Sequence, residues 1–153
     1  MTADRQPVVR MEVLLVEDSA GDIQLVRECF RDAGDTVRLH VTTDGVEAMA
    51  FLRREGSHRN APRPDLILLD LNLPKIDGRQ VLSNIKSDDQ LQTIPTVVLS
   101  TSDSEFDVMR SYQLLANCYL TKPADLASFE SLVTAISDFW LKKATFAPQR
   151  RTV

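Results

Sequence analysis

Apolar positions along the chain alternate between two periodicities. Met11 to Val16 is a near-continuous apolar run, the pattern of a strand buried on both faces. Ile23, Val26 and Phe30 follow at helical spacing, with Ser19 or Asp22 as the capping residue, and Ala33-Gly34-Asp35 breaks that helix. Val37, Leu39 and Val41 alternate with polar residues, so the second strand is expected half exposed or near an edge. Asp44-Gly45 turns the chain into a helix through Val46, Met49, Ala50 and Leu52. The polar connector from Arg53 to Arg63 is longer than the usual link and reads as a surface loop. Asp65 to Asp70 is a third strand, and Pro74, Asp77 and Gly78 mark the loop after it. Val81, Leu82 and Ile85 give one face of a third helix. Ile94-Pro95 opens a fourth strand, Thr96 to Ser100. Asp103 to Leu115 is a fourth helix with Phe106, Met109 and Tyr112 on one side. Cys118 to Thr121 is a fifth strand. Leu126, Phe129, Val133, Ile136 and Trp140 predict a long fifth helix capped by Asp125, before a basic, loose tail from Pro148 to Val153.

Five strands alternating with five helices, with no internal repeat, predict a single α/β domain built on one mostly parallel sheet with helices on both faces. Its crossovers are expected to be right-handed. Ligands of such sheets bind beyond the carboxyl ends of the strands, where strand order reverses. Glu17, Asp18, Asp70, Ser100 and Lys122 all stand at such ends, on four different strands.

The 153 residues suit one domain, and 43% apolar with 26% charged is an ordinary globular composition. The net charge of −4 argues against non-specific nucleic-acid binding, which needs a basic face. No apolar run is long enough to span a bilayer, and Met1 to Arg10 lacks the apolar core of a signal peptide. Cys29 and Cys118 fit reduced thiols packed in or near the core of a cytoplasmic protein. His40 and His58 have no plausible metal partner nearby in sequence.

Clustered carboxylates repel one another unless a cation sits among them. Mg²⁺ takes oxygen ligands and keeps several waters, so Asp18 and Asp70 would serve as direct ligands, the backbone carbonyl of Asn72 as a third, and Glu17 through water. A carboxylate can also act as nucleophile and form an acyl phosphate, and Asp70 ends the strand expected at the sheet centre. Phosphoryl transfer then needs neutralisation of the equatorial oxygens, by Mg²⁺ on one side and the Lys122 ammonium on the other. The Ser100 hydroxyl and the Thr101 N–H would bind a further oxygen. A cis Lys122–Pro123 bond, which would aim Lys122 back over the site, is left open beside the trans form. Each residue alone has a bland alternative as a cap or turn residue; together, at matching positions in the fold, they point to one site.

These motifs resemble the receiver domain of two-component response regulators, from about Met11 to Trp140. The resemblance rests on Val16-Glu17-Asp18, on Leu69-Asp70-Leu71-Asn72-Leu73-Pro74 with Asp77-Gly78, on Leu99-Ser100-Thr101 and on Tyr119-Leu120-Thr121-Lys122-Pro123. It implies a CheY-like, flavodoxin-like doubly wound sheet in the order 2-1-3-4-5. Residues 1–10 would be a disordered segment, 11–141 the receiver and 142–153 a C-terminal extension. Asp70 would accept phosphate from a sensor histidine kinase. Glu17, Asp18, Asp70 and Asn72 would organise Mg²⁺ and Lys122 would contact the phosphate. Ser100 would be the switch hydroxyl and Tyr119 the aromatic that follows it. The protein would be a phosphoacceptor that catalyses its own phosphorylation and dephosphorylation, not an enzyme acting on a separate substrate. The long connector and the extension Phe139 to Phe146 are similar to single-domain regulators that pair with phytochromes.

No DNA-binding or enzymatic output segment follows before Val153. Output is therefore expected through protein contacts: the kinase, a downstream phosphotransfer protein, or a second copy of the chain. The homodimer would use the face of helix four, strand five and helix five together with the cluster Phe139, Trp140, Leu141 and Phe146; the alternative is that this cluster covers the domain's own core. A non-phosphorylated pseudo-receiver that acts as a binding module is the competing function. A haloacid-dehalogenase-type phosphatase would need an acid where Asn72 stands. A flavodoxin-like FMN binder would need a phosphate loop less acidic than Glu17-Asp18-Ser19-Ala20-Gly21-Asp22.

Overall fold

Why the apolar runs are continuous is explained by where alternate residues go. The computed structural model describes residues 11–32 and 36–148. The expectations for residues 1–10, for the break at 33–35 and for the tail at 149–153 lie outside the described residues. Strands β1 (Met11–Val16), β2 (Val37–Thr42), β3 (Leu66–Leu69), β4 (Thr96–Ser100) and β5 (Cys118–Thr121) form one parallel sheet in the order β2-β1-β3-β4-β5. They alternate with α1 (Ala20–Arg31), α2 (Gly45–Arg53), α3 (Gly78–Ser87), α4 (Glu105–Gln113) and α5 (Leu126–Ile136). Successive strand residues point to opposite faces. Val13, Leu15, Leu66, Leu68, Val97 and Leu99 therefore pack beneath α1 and α5, against Leu25, Val26, Phe30, Phe129, Val133 and Ile136. Leu14, Val16, Ile67, Leu69 and Val98 meet Met49, Leu52, Val81, Leu82 and Ile85 of α2 and α3 on the other face. β2 lies at an edge, as its alternation predicts.

Helix starts follow local chemistry. Ser19, not Asp22, caps α1; Asp44, Asp77, Ser104 and Asp125 cap the other four helices, each through a side chain that accepts a backbone N–H. Ser104 sets the start of α4 at Glu105, two residues after the expected Asp103. The third strand is shorter than expected, because the Asp65 carboxylate turns to accept the N–H of Glu12 at 2.8 Å and Asp70 lies just past the last strand residue. Part of the Arg53–Arg63 connector is ordered as a 3₁₀ turn, Gly56–His58. There Phe51 lies between the rings of His40 and His58, with centroids 5.3 and 5.5 Å away. The long fifth helix is α5 continued by a π-helical turn, Ser137–Leu141.

Two apolar positions are corrected. Val46 and Leu126 are exposed, although they fit the helical spacing. Phe106, Met109 and Tyr112 do share a side of α4, but that side faces outward, and Ser111 is the fully buried residue of the helix. At the C-terminal end, Trp140 and Leu141 pack against the core beneath α5, and the Phe146 ring stacks on Trp140 at 6.4 Å, while Phe139 is exposed. Much of that cluster thus covers the domain's own core.

Candidate functional site

The acids and the lysine reach one end of the sheet because backbone pairing continues past the strands that carry them. The Glu17 N–H donates to the Thr42 carbonyl (3.0 Å), that of Asp70 to Val16 (3.0 Å) and that of Lys122 to Ser100 (2.7 Å). Glu17, Asp70, Ser100 and Lys122 are buried there and Asp18 is exposed. Gly78 closes the floor. A Cβ on it would run into the Asp70 carbonyl and lie 2.5 Å from Leu71 Cα, so only glycine lets α3 start this close to the Asp70 loop.

Lys122 Nζ donates to Glu17 Oε2 at 2.5 Å and Asp22 Oδ2 at 2.9 Å, and lies 3.6 Å from Asp70 Oδ2. Burial alone would lower the pKa of this amine, but its hydrogen bonds to Glu17 and Asp22 outweigh it and the net shift is upward, so Lys122 stays charged. Burial acts first on Glu17 as well. It pushes the carboxyl from 4.5 to about 7 against the pull of Lys122, with Asp70 adding repulsion. Asp22 is the residue that sequence reasoning missed as a partner of Lys122. Its one signal was the excess of acids in the loop after β1, since the two residues stand 100 positions apart.

One carboxylate oxygen each from Glu17, Asp18 and Asp70 lies within 4.8 Å of the others. Opposite vertices of a Mg²⁺ octahedron are about 4.2 Å apart at the usual bond length of about 2.1 Å. The spread therefore suits an all-oxygen divalent site with one carboxylate held through water. With Asp22 included, four carboxylates face one ammonium, an excess of negative charge that a divalent cation would relieve. Asn72 enters through its N–H, which donates to Asp70 Oδ1 at 3.3 Å.

Ser100 and Tyr119 meet on a third residue. The Ser100 hydroxyl oxygen accepts the N–H of Ser102 at 3.3 Å, and the Tyr119 hydroxyl donates to the Ser102 carbonyl at 2.7 Å. No cis peptide occurs among the described residues, so Lys122 reaches the acids with a trans bond to Pro123. His40 pairs with Glu12 (2.6 Å) and His58 lies 3.7 Å from Glu47, in partnerships outside this cluster. Cys29 and Cys118 are half-buried free thiols packed against the core, and burial raises both pKa values. Among the described residues no helix is long and apolar enough to cross a membrane.

The arrangement has counterparts in known proteins. The family described as response regulator receiver domain matches residues 13–136. Response regulator Rcp1 of Synechocystis sp. is 50% identical over 133 residues, spanning 87% of this chain and 90% of Rcp1. The crystal structure of the Mn²⁺-bound form of Rcp1 is similar with a TM-score of 0.88 at 48% identity, covering 90% of this chain and 99% of that one. The phosphorylated cyanobacterial phytochrome response regulator RcpA has a TM-score of 0.88 at 50% identity, covering 91% and 99%.

Proposed function

This chain belongs to the response regulator receiver domain family, and from that premise we propose that it takes a phosphoryl group from a sensor histidine kinase onto Asp70 in a Mg²⁺-dependent phosphorelay. The observation that carries the reading is the buried Asp70 carboxylate, 3.6 Å from Lys122 and grouped with Glu17 and Asp18. An Asp70 oxygen attacks phosphorus, the phosphorus–nitrogen bond to the donor histidine breaks, and the imidazole leaves. Lys122 neutralises charge on the transferred group, and Glu17 and Asp18, with Asp70 and Asn72, hold the Mg²⁺. The ion supplies charge neutralisation at the phosphoryl oxygens. Ser100 contributes its hydroxyl to the phosphoryl group and Tyr119 follows, which biases a pre-existing two-state equilibrium.

The protein acts on itself, as acceptor and as catalyst of its own phosphoryl transfer and loss, in the cytoplasm. A phytochrome-type kinase is the proposed donor, because RcpA, a cyanobacterial phytochrome response regulator, is 50% identical to this chain. A phosphotransfer protein is the proposed downstream partner. A second copy would pair through the α4–β5–α5 face, where Phe106, Met109 and Tyr112 are exposed, with the exposed Phe139 of the C-terminal end beside it.

Incubation with Mg²⁺ and acetyl phosphate should add the mass of one phosphoryl group, and Asp70→Asn should abolish the gain. No gain in the wild-type chain would leave the pseudo-receiver. Light scattering that shows a monomer with and without phosphorylation would remove the dimer.

A further inference from the structure

Lys122 carries its charge on a flexible four-carbon stem, so something must hold the ammonium beside Asp70. Its backbone N–H is fixed on the Ser100 carbonyl (2.7 Å), which leaves the side chain free to turn. The Nζ atom donates to Glu17 Oε2 (2.5 Å) and to Asp22 Oδ2 (2.9 Å), which uses two of its three protons. Asp70 Oδ2, at 3.6 Å, lies beyond hydrogen-bond reach, so the third proton is not spent on it. The two anchors differ in their other duties. Glu17 belongs to the three carboxylates that group for a cation, and its Oε1 accepts the Ser19 N–H at 3.1 Å. Asp22 lies outside that group of three. It stands in the first turn of α1, where its own N–H donates to the capping Ser19 hydroxyl (3.4 Å) and the positive end of the helix favours an anion. A side chain at this place can turn back to accept the N–H of the cap residue. Here Glu17 takes that N–H, and the Asp22 carboxylate reaches Lys122 instead.

We infer that Asp22 is a positioning residue for Lys122: from the capped first turn of α1 it holds one ammonium proton, so that Nζ stays beside Asp70 when Glu17 serves a cation. The inference rests on the phosphoryl-acceptor reading above. Asp22 bears on a phosphoryl group in two opposite ways. As an acceptor it keeps Lys122 within reach of the transferred oxygens; as a charge it repels them. The Asp22 side chain is 30% exposed, so water screens the repulsion in part. The ammonium that it holds is 5% exposed and acts at close quarters, where screening is weak. Holding therefore outweighs repulsion, and loss of the side chain weakens the site.

The test uses the full chain and beryllofluoride, a phosphoryl mimic, with binding followed by fluorine NMR. Mg²⁺ is kept saturating, as established for each variant by titration. Asp22→Ala, which removes both the acceptor and the charge, should weaken beryllofluoride binding about fivefold. Asp22→Asn removes the charge but keeps a carbonyl oxygen that can accept from Lys122, so it should bind within about twofold of the wild type. Urea unfolding supplies the control. Both variants lose the anion at the start of α1 and should lose stability alike, so a merely structural role would weaken binding in both equally. If Asp22→Ala does not fold, Asp22→Ser, whose hydroxyl is too short to reach Nζ, makes the same comparison. Asp22→Ala binding as tightly as the wild type or more tightly, or Asp22→Asn losing as much as Asp22→Ala, overturns the positioning role alone. A wild-type chain that binds no beryllofluoride overturns the acceptor reading and this inference with it.

Discussion

Replacing Glu17 by glutamine should remove a loss of stability that the metal-free protein undergoes as pH rises from about 5 to 8. The Glu17 carboxyl is 2% exposed, and burial raises its pKa from 4.5 to about 7 although Lys122 donates to it. Below about pH 4.5 the group is protonated in both the folded and the unfolded chain, and it contributes no pH dependence there. Between 4.5 and about 7 the unfolded chain has released the proton while the folded one keeps it, so stability falls as pH rises. Above 7 both states are ionised and the loss is complete. At about 1.4 kcal/mol for each tenfold, it comes to about 3 kcal/mol. Other shifted groups act elsewhere. Asp44 and Asp107 have lowered pKa values, so their contributions are present above about 3.8 and fade only below it; Lys122 is raised, and its contribution fades only above 10.5. Urea unfolding in EDTA, followed by Trp140 fluorescence, reads the difference directly. From about pH 5 to pH 8, Glu17→Gln should gain about 2–3 kcal/mol on the wild type. Mg²⁺ near the carboxylate favours its ionised form, so saturating Mg²⁺ should shrink that gap in the wild type. Parallel stability curves for the two proteins across this range would refute the account of Glu17 as a charge buried at the expense of stability.

Three further outcomes follow from packing. Gly78→Ala should lower the urea midpoint by the equivalent of about 1–3 kcal/mol, because the new methyl meets backbone at Asp70 and Leu71 rather than a side chain that can swing away; an unchanged midpoint would mean α3 does not approach the pocket this closely. Leu68→Ala, at a fully buried position in the sheet, should cost about 2–5 kcal/mol. Phe106→Ser, on the outward side of α4, should change stability by no more than about 0.5 kcal/mol in dilute solution. A large loss there would show that the α4 face is covered.

The strands, the helices and the gathering of the acids and one lysine at a single end of the sheet were legible in the chain itself. Runs such as Val13 to Val16 and Leu66 to Leu69 announce strands buried on both faces, because residues of opposite parity each need an apolar partner. Asp44 and Asp125 announce helix starts because a side-chain oxygen satisfies a nearby N–H, a contact made within a few residues, whereas Asp77, read as a loop residue, is shown to be a cap only by the structure. Glu17, Asp18, Asp70, Ser100 and Lys122 could be grouped because each follows a strand, and strand ends of a parallel sheet gather on one edge. What depended on the exact approach of distant segments could not be read that way. Asp22 meets Lys122 only because the start of α1 and the residue after β5 reach the same end of the sheet, although β3 and β4 lie between β1 and β5. Phe106, Met109 and Tyr112 keep helical spacing on either side of a helix, and only the packed sheet shows that Ser111 takes the inner position. Arg79, Asp107 and Ser102 are ordinary polar residues along the chain and become a network once α3 and α4 lie side by side. Periodicity and capping are local, so one dimension of sequence suffices for them; the energy of a charge depends on every group near it in space, and that neighbourhood exists only after the chain has folded.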